Sequence, residues 1–172
     1  SIAVSGTHGK TTTSSMVSEI LLEDNSDPTI SIGGILPSIN GNIKIGSSDY
    51  FVAEACEYFE SFLKFKPFVG VILNIEADHL DYFKDLNHIR HSFHNFANRI
   101  PVGGSLIINS KIENLDEIIS NLNCNVITYG VDTEQADWTA RNVIHEKTGK
   151  NSFDAYFKNQ FICRIYLNIP GD

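Results

Sequence analysis

Long apolar runs are missing from this chain of 172 residues, and their absence sets the first limits. No stretch approaches the roughly 20 apolar residues that a bilayer-spanning helix needs, and no signal-peptide pattern opens the sequence. Low-complexity tracts and internal repeats are absent as well. Basic residues are in deficit: 13 Lys and Arg stand against 21 Asp and Glu, a formal net charge of −8. A nucleic-acid binder usually presents a basic face, so neither nucleic acid nor a membrane is expected as a partner. Cysteine is scarce. Cys56, Cys124 and Cys163 are scattered, odd in number and without metal-ligand spacing. They read as free thiols in a reducing cytoplasm rather than as a disulfide frame.

What is present suffices for one core with room for a small second lobe: 42% of residues are hydrophobic and 20% charged. The opening Ser-Ile-Ala-Val reads as a buried strand already under way, so a natural chain that begins further upstream is expected. Short apolar runs then alternate with amphipathic stretches, the pattern of a parallel sheet flanked by helices. Strands are predicted at 2–5, 29–32, 50–54, 69–75, 105–109 and 125–129, with a turn at Gly33-Gly34 after the second. Helices are predicted at 10–23, 86–100 and 111–122. In the second of these, Leu86, Ile89, Phe93, Phe96, Ala97 and Ile100 share one face, which leaves His88, His91 and His94 on a solvated polar face rather than in a zinc site.

Beyond Gly130 the period changes to two. Phe153, Ala155 and Phe157, then Phe161, Cys163, Ile165 and Leu167, predict an antiparallel hairpin broken at Lys158-Asn159-Gln160, with a third strand from 137–146. The expected fold class is therefore α/β: a P-loop-type, mostly parallel sheet flanked by helices over 1–130, and a small antiparallel β-subdomain over 131–172.

The stretch "VSGTHGKTTTSSM" puts Gly6-Thr7-His8-Gly9-Lys10-Thr11 between a strand and a helix. Glycines let backbone N–H groups converge on phosphate oxygens, and the helix N-terminus adds a favourable dipole. Lys10 supplies a cation for the β- and γ-phosphates, and the Thr11 hydroxyl a ligand for Mg²⁺. The usual spacing, G-x-x-x-x-G-K-[ST], would place glycine where Val4 stands, so this loop is two residues short. The competing reading is a glycine turn into a helix that happens to contain lysine and threonine. A phosphate loop needs a second metal contact, commonly a carboxylate that ends an apolar strand. In "YFVAEACEY", Glu54 sits at that point, and Glu57 is a second possibility. In "VGVILNIEADHLDYF", Glu76, Asp78, His79 and Asp81 crowd beyond another strand end. There His79 offers a neutral imidazole to a metal, or else Asp78 caps a helix among bystander charges.

Together "GTHGKTTT", "EACEYFESFLKF" and "NIEADHLDYFKD" resemble the central, ATP-binding domain of the Mur ligases, over essentially the whole chain. That family and the folylpolyglutamate synthases use the short G-[TS]-x-G-K-[TS] loop, which accounts for Val4. His8 in the loop and the absence of lysine from 86–99 resemble the alanine-adding branch, whose relatives carry a carbamoylated lysine there. The resemblance implies ATP and Mg²⁺ as cofactors. Gly6, Thr7, His8, Gly9, Lys10, Thr11 and Thr12 would bind the phosphates. Thr11 and Glu54 would hold Mg²⁺, and His79 a second metal, making Lys10, Glu54 and His79 the catalytic set; Asn74 and Asp78 would support it. It also implies UDP-N-acetylmuramate and L-alanine as substrates, joined through an acyl phosphate in peptidoglycan synthesis. The N-terminal UDP-binding and C-terminal amino-acid-binding domains of the family are not in these residues, so turnover by residues 1–172 alone is not expected. A ligase recycling murein tripeptide is the nearest alternative, although the short "ESFLKFKP" connection favours the alanine branch. A P-loop NTPase switch is the alternative of a different class, and a remnant that only binds or scaffolds is a third.

Overall fold

A computed structural model of the chain describes residues 1–146 and 149–169. Residues 147–148 and 170–172, part of the expected hairpin region, lie outside the described residues. The chain divides into two compact units, Ser1–Ile108 with Ile112–Val126, and Asn109–Lys111 with Ile127–Asp172.

The first unit runs β1 (Ile2–Ser5), α1 (Lys10–Glu23), β2 (Thr29–Leu36), β3 (Gly41–Lys44), β4 (Phe51–Glu54), β5 (Val69–Ile72), α2 (Leu86–Ala97), β6 (Ser105–Asn109) and α3 (Leu115–Ile119). Its strands lie in the order β6-β5-β1-β4-β2-β3, all parallel except β3, which is antiparallel to β2. Strands of a parallel sheet are covered on both faces and therefore read as continuous apolar runs; Ala3, Val4, Val52, Ala53 and Ile72 are all buried. Strand β1 is laddered to β4 with Val4 opposite Glu54, and to β5 with Ser5 opposite Ile72. The ladders continue one step past the strands: Ala55 N–H donates to Val4 O at 2.8 Å and Leu73 N–H to Ser5 O at 3.0 Å. The loops that begin at Gly6, Ala55 and Leu73 thus leave the same edge of the sheet together.

Helix α2 buries the predicted stripe: Ile89, Phe93, Phe96 and Ala97 are inaccessible, and Ile100 just past its end is too. Asp85 caps it, accepting from His88 N–H at 2.8 Å. Phe62, from a 3₁₀ segment over Tyr58–Lys64, stacks on Phe96 with centroids 5.0 Å apart and meets Phe93 edge-on at 5.2 Å. Around these rings lie Ile72, Phe83, Leu106, Ile108 and Ile118. Helix α1 is docked differently. Its fully buried side chains are Ser14 and Ser18, whose hydroxyls donate back to Thr11 O at 3.1 Å and Ser14 O at 2.7 Å.

Several expectations need correction. Strand β2 does not stop at a Gly33-Gly34 turn but runs through both glycines to Leu36. The volume their side chains would fill is taken: a Cβ on Gly33 would lie 2.7 Å from Glu54 Oε2, and one on Gly34 2.9 Å from Thr11 Cγ2. The strand β3 that follows was not anticipated. The run 69–75 is strand only to Ile72, because Leu73 and Asn74 leave the sheet toward the Gly6 loop. Helix α3 covers five residues rather than 111–122, since Asn114 and Asn121 adopt left-handed backbone (both φ 56°) at its two ends. Of the three α2 histidines only His91 is fully exposed. His94 Nδ1 pairs with Ile118 O at 2.9 Å, tying α2 to α3, and His88 Nδ1 accepts from Lys84 N–H at 3.4 Å.

The second unit contains β7 (Asn125–Val131) from Ile127 onward, β8 (Trp138–His145), β9 (Asn151–Phe157) and β10 (Gln160–Leu167), in that spatial order. The β8–β9 and β9–β10 pairs are antiparallel as expected, with the hairpin turn at Lys158-Asn159, both left-handed (φ 47° and 64°). The β7–β8 pair is parallel, reached by a short return in which Asp137 accepts from the N–H and hydroxyl of Thr128 at 2.9 and 3.0 Å.

Replacing Phe62 by Ala removes a ring packed against two others, and is expected to cost about 3–5 kcal/mol. Urea unfolding measures it; a cost below about 1 kcal/mol would contradict the packing described. A second test uses Asp27, which accepts from Lys44 Nζ and from Ser47 N–H and hydroxyl. Lys44 first, then Ser47, hold its carboxyl well below the ordinary value of 3.8. A depressed folded pKa contributes stability above the unfolded value that is lost as pH falls. Asp27→Asn is therefore expected to weaken the loss of melting temperature between about pH 5 and pH 2, relative to wild type.

Candidate active site

The three loops at the shared sheet edge build one constellation inside the first unit. Gly6 opens the first loop at φ 142°, where an added Cβ would meet Leu73 Cβ at 3.0 Å; glycine is required there on both counts. The β5 side fastens this loop. Asn74 Oδ1 accepts from His8 N–H at 2.7 Å while its Nδ2 donates to His8 O at 3.0 Å. Thr7 N–H donates to Asn74 O at 3.1 Å, and Thr7 Oγ1 accepts from Glu76 N–H at 2.9 Å. His8 itself is exposed, 3.7 Å from Glu76. Gly9 forms the left-handed entry to α1, and Thr12 is exposed on its first turn.

Lys10 turns inward. Its Nζ donates to Gly6 O at 2.6 Å and Thr7 O at 3.0 Å, and lies 3.0 Å from Glu57 Oε2 and 3.3 Å from Oε1. Glu57, only 2% exposed, is the deepest carboxylate of the site. Beside it, Thr11 Oγ1 donates to Glu54 Oε2 at 2.8 Å, and Gly33 N–H donates to the same oxygen at 2.8 Å. The glycine read as a turn is thus the donor that aims Glu54. A pair of glycines inside the β-rich run "TISIGGIL" was the available signal, since glycine within a strand marks a close approach.

His79 stands in left-handed backbone (φ 52°), its N–H donating to Asp78 Oδ1 at 2.7 Å. Its Nε2 is 3.6 Å from Glu57 Oε1 and 3.9 Å from Asp78 Oδ2. The Tyr58 ring stacks on it at 4.5 Å, and Tyr58 O–H donates to Asp81 Oδ2 at 2.7 Å. That bond raises the Tyr58 pKa and lowers that of Asp81. Sequence reasoning did not find Tyr58, and it ranked Glu57 behind Glu54 without seeing that Glu57 faces Lys10 and His79.

The oxygen donors of Thr11 and Glu54 are of the hard type Mg²⁺ takes when it keeps waters and phosphate oxygens as its other ligands. That chemistry fits the metal, and Gly33, where a Cβ would lie 2.7 Å from Glu54 Oε2, lets the carboxylate lie cradled against β2. Of the expected metal set, Thr11 and Glu54 touch, whereas His79 contacts Glu57 and Asp78. No ready cage of three or more His, Cys, Asp or Glu side chains exists among the described residues.

The family profile described as Mur ligase middle domain matches residues 4–172. The chain belongs to the Mur ligase family. A UDP-N-acetylmuramate–L-alanine ligase of Clostridium tetani (strain Massachusetts / E88) is 54% identical over 170 residues, 99% of this chain. The chain spans 37% of the length of that relative. Among solved Mur ligases, the UDP-N-acetylmuramate:L-alanyl-γ-D-glutamyl-meso-diaminopimelate ligase of Neisseria meningitides superposes with TM-score 0.83 at 27% identity, over 99% of this chain and 56% of that one. The UDP-N-acetylmuramate–alanine ligase of Thermotoga maritima gives 0.82 at 27%, over 98% and 37%. The expected fold class, a mostly parallel sheet with helices and an antiparallel C-terminal end, holds for this Mur ligase domain. Among the described residues no helix is long and apolar enough to cross a membrane.

Gly33→Ala tests the cradle. Because the new methyl would overlap Glu54 Oε2, the affinity for Mg²⁺-nucleotide is expected to fall at least about tenfold. Titration calorimetry reads this, and an affinity unchanged beside an unchanged melt would refute the aiming role.

Proposed function

We propose that this domain binds ATP and Mg²⁺ and, within a longer cytoplasmic ligase, joins L-alanine to the lactyl carboxylate of UDP-N-acetylmuramate for peptidoglycan synthesis. The observation that carries the reading is the meeting of Lys10, Thr11, Glu54, Glu57 and His79 at the ends of β1, β4 and β5. Identity of 54% to a ligase of that name favours L-alanine over a murein tripeptide, whereas the two superpositions do not separate them.

In this reading the N–H groups of Gly9 to Thr12 at the α1 N-terminus face the phosphates, the Thr7 and His8 N–H groups being bonded to Asn74, with Lys10 on the terminal ones. Thr11 and Glu54 would hold Mg²⁺, and His79, oriented by Asp78 and the Tyr58 ring, would be the ligand for a second metal. When bound, these ions polarise the phosphoryl oxygens and screen the repulsion between carboxylate and phosphate. A lactyl carboxylate oxygen forms a bond to the γ-phosphorus as the bond to ADP breaks, giving an acyl phosphate. The amine of L-alanine then attacks the acyl carbon, phosphate leaves, and the nitrogen loses a proton. Lys10 meets the charge that builds on the transferring group. Asn74 keeps the loop closed on it.

The test follows ADP release by the full-length protein, given UDP-N-acetylmuramate with L-alanine, with tripeptide, or with neither. Release that needs the sugar nucleotide and alanine, and falls at least about a hundredfold in Lys10→Ala, is expected. Release with tripeptide alone would move the assignment to the recycling reaction. Release indifferent to the sugar nucleotide would replace it with an NTPase.

A further inference from the structure

Glu57 has no part in the chemistry above, yet it is the most buried charge in the site and touches two of its groups. Its side chain is 3% exposed and that of Lys10 14%. Lys10 has three N–H donors, and in this structure they are directed at Gly6 O, Thr7 O and Glu57. These three acceptors saturate the ammonium. Glu57 is less well served. Its Oε2 is buried and accepts no hydrogen bond among the described residues, although Lys10 Nζ is 3.0 Å away, and its Oε1 is shared between Lys10 and the more distant His79. A buried carboxylate in that position is costly without its cation.

We propose that Glu57 is a positioning residue and an internal stand-in for the nucleotide's terminal phosphate. It holds Lys10 folded into the loop, gives Lys10 up to the phosphate when phosphate binds, and then faces His79. The inference rests on the reading of the loop as a nucleotide site. Two consequences follow from charge alone. A phosphate must compete with Glu57 for Lys10, and it must approach a buried carboxylate of its own sign. Removing the charge while keeping the shape relieves both, so the anion should bind more tightly without any divalent cation. In turnover the same change is harmful, because His79 loses the carboxylate that faces it once Lys10 has turned to the phosphate.

The experiment measures ATP affinity of the full-length protein in neutral buffer with EDTA, for wild type, Glu57→Gln, Glu57→Asp and Lys10→Ala. Glu57→Gln is expected to bind at least about fivefold tighter than wild type. Glu57→Asp, which keeps the charge, should not bind tighter than wild type, and Lys10→Ala should bind weakly. With Mg²⁺ and both substrates, Glu57→Gln is expected to lose at least about tenfold in kcat with less change in the KM for ATP. Weaker or unchanged EDTA binding by Glu57→Gln would overturn the proposal, as would equal tightening by Gln and Asp. Normal wild-type ATP binding that Lys10→Ala abolishes, with no gain in Glu57→Gln, would sink this proposal while the nucleotide site stands. No wild-type binding under any condition would sink both. Should Glu57→Gln fail to fold, melting without nucleotide decides. The double variant Lys10→Met/Glu57→Gln, which removes both charges, should then melt above Lys10→Met; a double that melts no higher would refute the pairing.

Discussion

Strand β1 carries a parallel ladder on each side, and those two registers govern everything at the phosphate-binding end of the first unit. Val4 opposite Glu54 and Ser5 opposite Ile72 bring three chain segments out of the sheet at one level. A slip of one residue in either ladder would turn Glu54 to the opposite face, or carry Asn74 out of reach of the His8 backbone. The apolar runs of β1, β4 and β5 resist such a slip because each is covered on both faces. Burial far from the chemistry therefore sets the distances within it. The aromatic packing of Phe62, Phe93 and Phe96 belongs to the same constraint, since Phe62 fixes the segment that follows Glu57.

Much of this was legible in order along the chain. The α2 stripe, the strand–loop–helix around Lys10 and the carboxylate closing β4 are local patterns, each set by periodicity or by neighbours a few residues apart. What escaped detection joins residues far apart in sequence. Gly33 looks like a turn until Glu54, 21 positions on, is seen occupying its side-chain space. Asn74, expected in a supporting role only from the family resemblance, acquires a definite one when its two hydrogen bonds to residue 8 are drawn, 66 positions back. Glu57 was visible as a carboxylate, but only the three-dimensional fold places it against Lys10. The shortening of α3 had a local cause, the asparagines at 114 and 121, which readily take left-handed backbone; their composition alone did not say that they would.

The second unit answers to other rules. Its alternating pattern predicted the antiparallel pairs, and the Lys158-Asn159 turn closes them with a two-residue left-handed bend. The parallel β7–β8 pair has no counterpart in the alternation, because period two states which face a residue occupies and not which direction its neighbour runs. A side-chain cap, Asp137 on Thr128, is what turns the chain back.

The serine-lined seat of α1 bears on how occupancy and stability are linked. A helix whose fully buried side chains are Ser14 and Ser18 gains little from the hydrophobic term that anchors α2. It is held by Leu22 against the cluster of Ile30, Ile32 and Leu36, by its covalent continuity with β1 and by the polar contacts of Lys10 and Thr11. The opening energy of such an element depends more on its polar contacts at the loop than does that of the aromatic-packed α2. Anything that binds the loop but not its opened form raises that energy by mass action. The phosphate loop and its helix thus form a reporter segment, one whose amide protection tracks the filling of the site more closely than that of the aromatic core behind it.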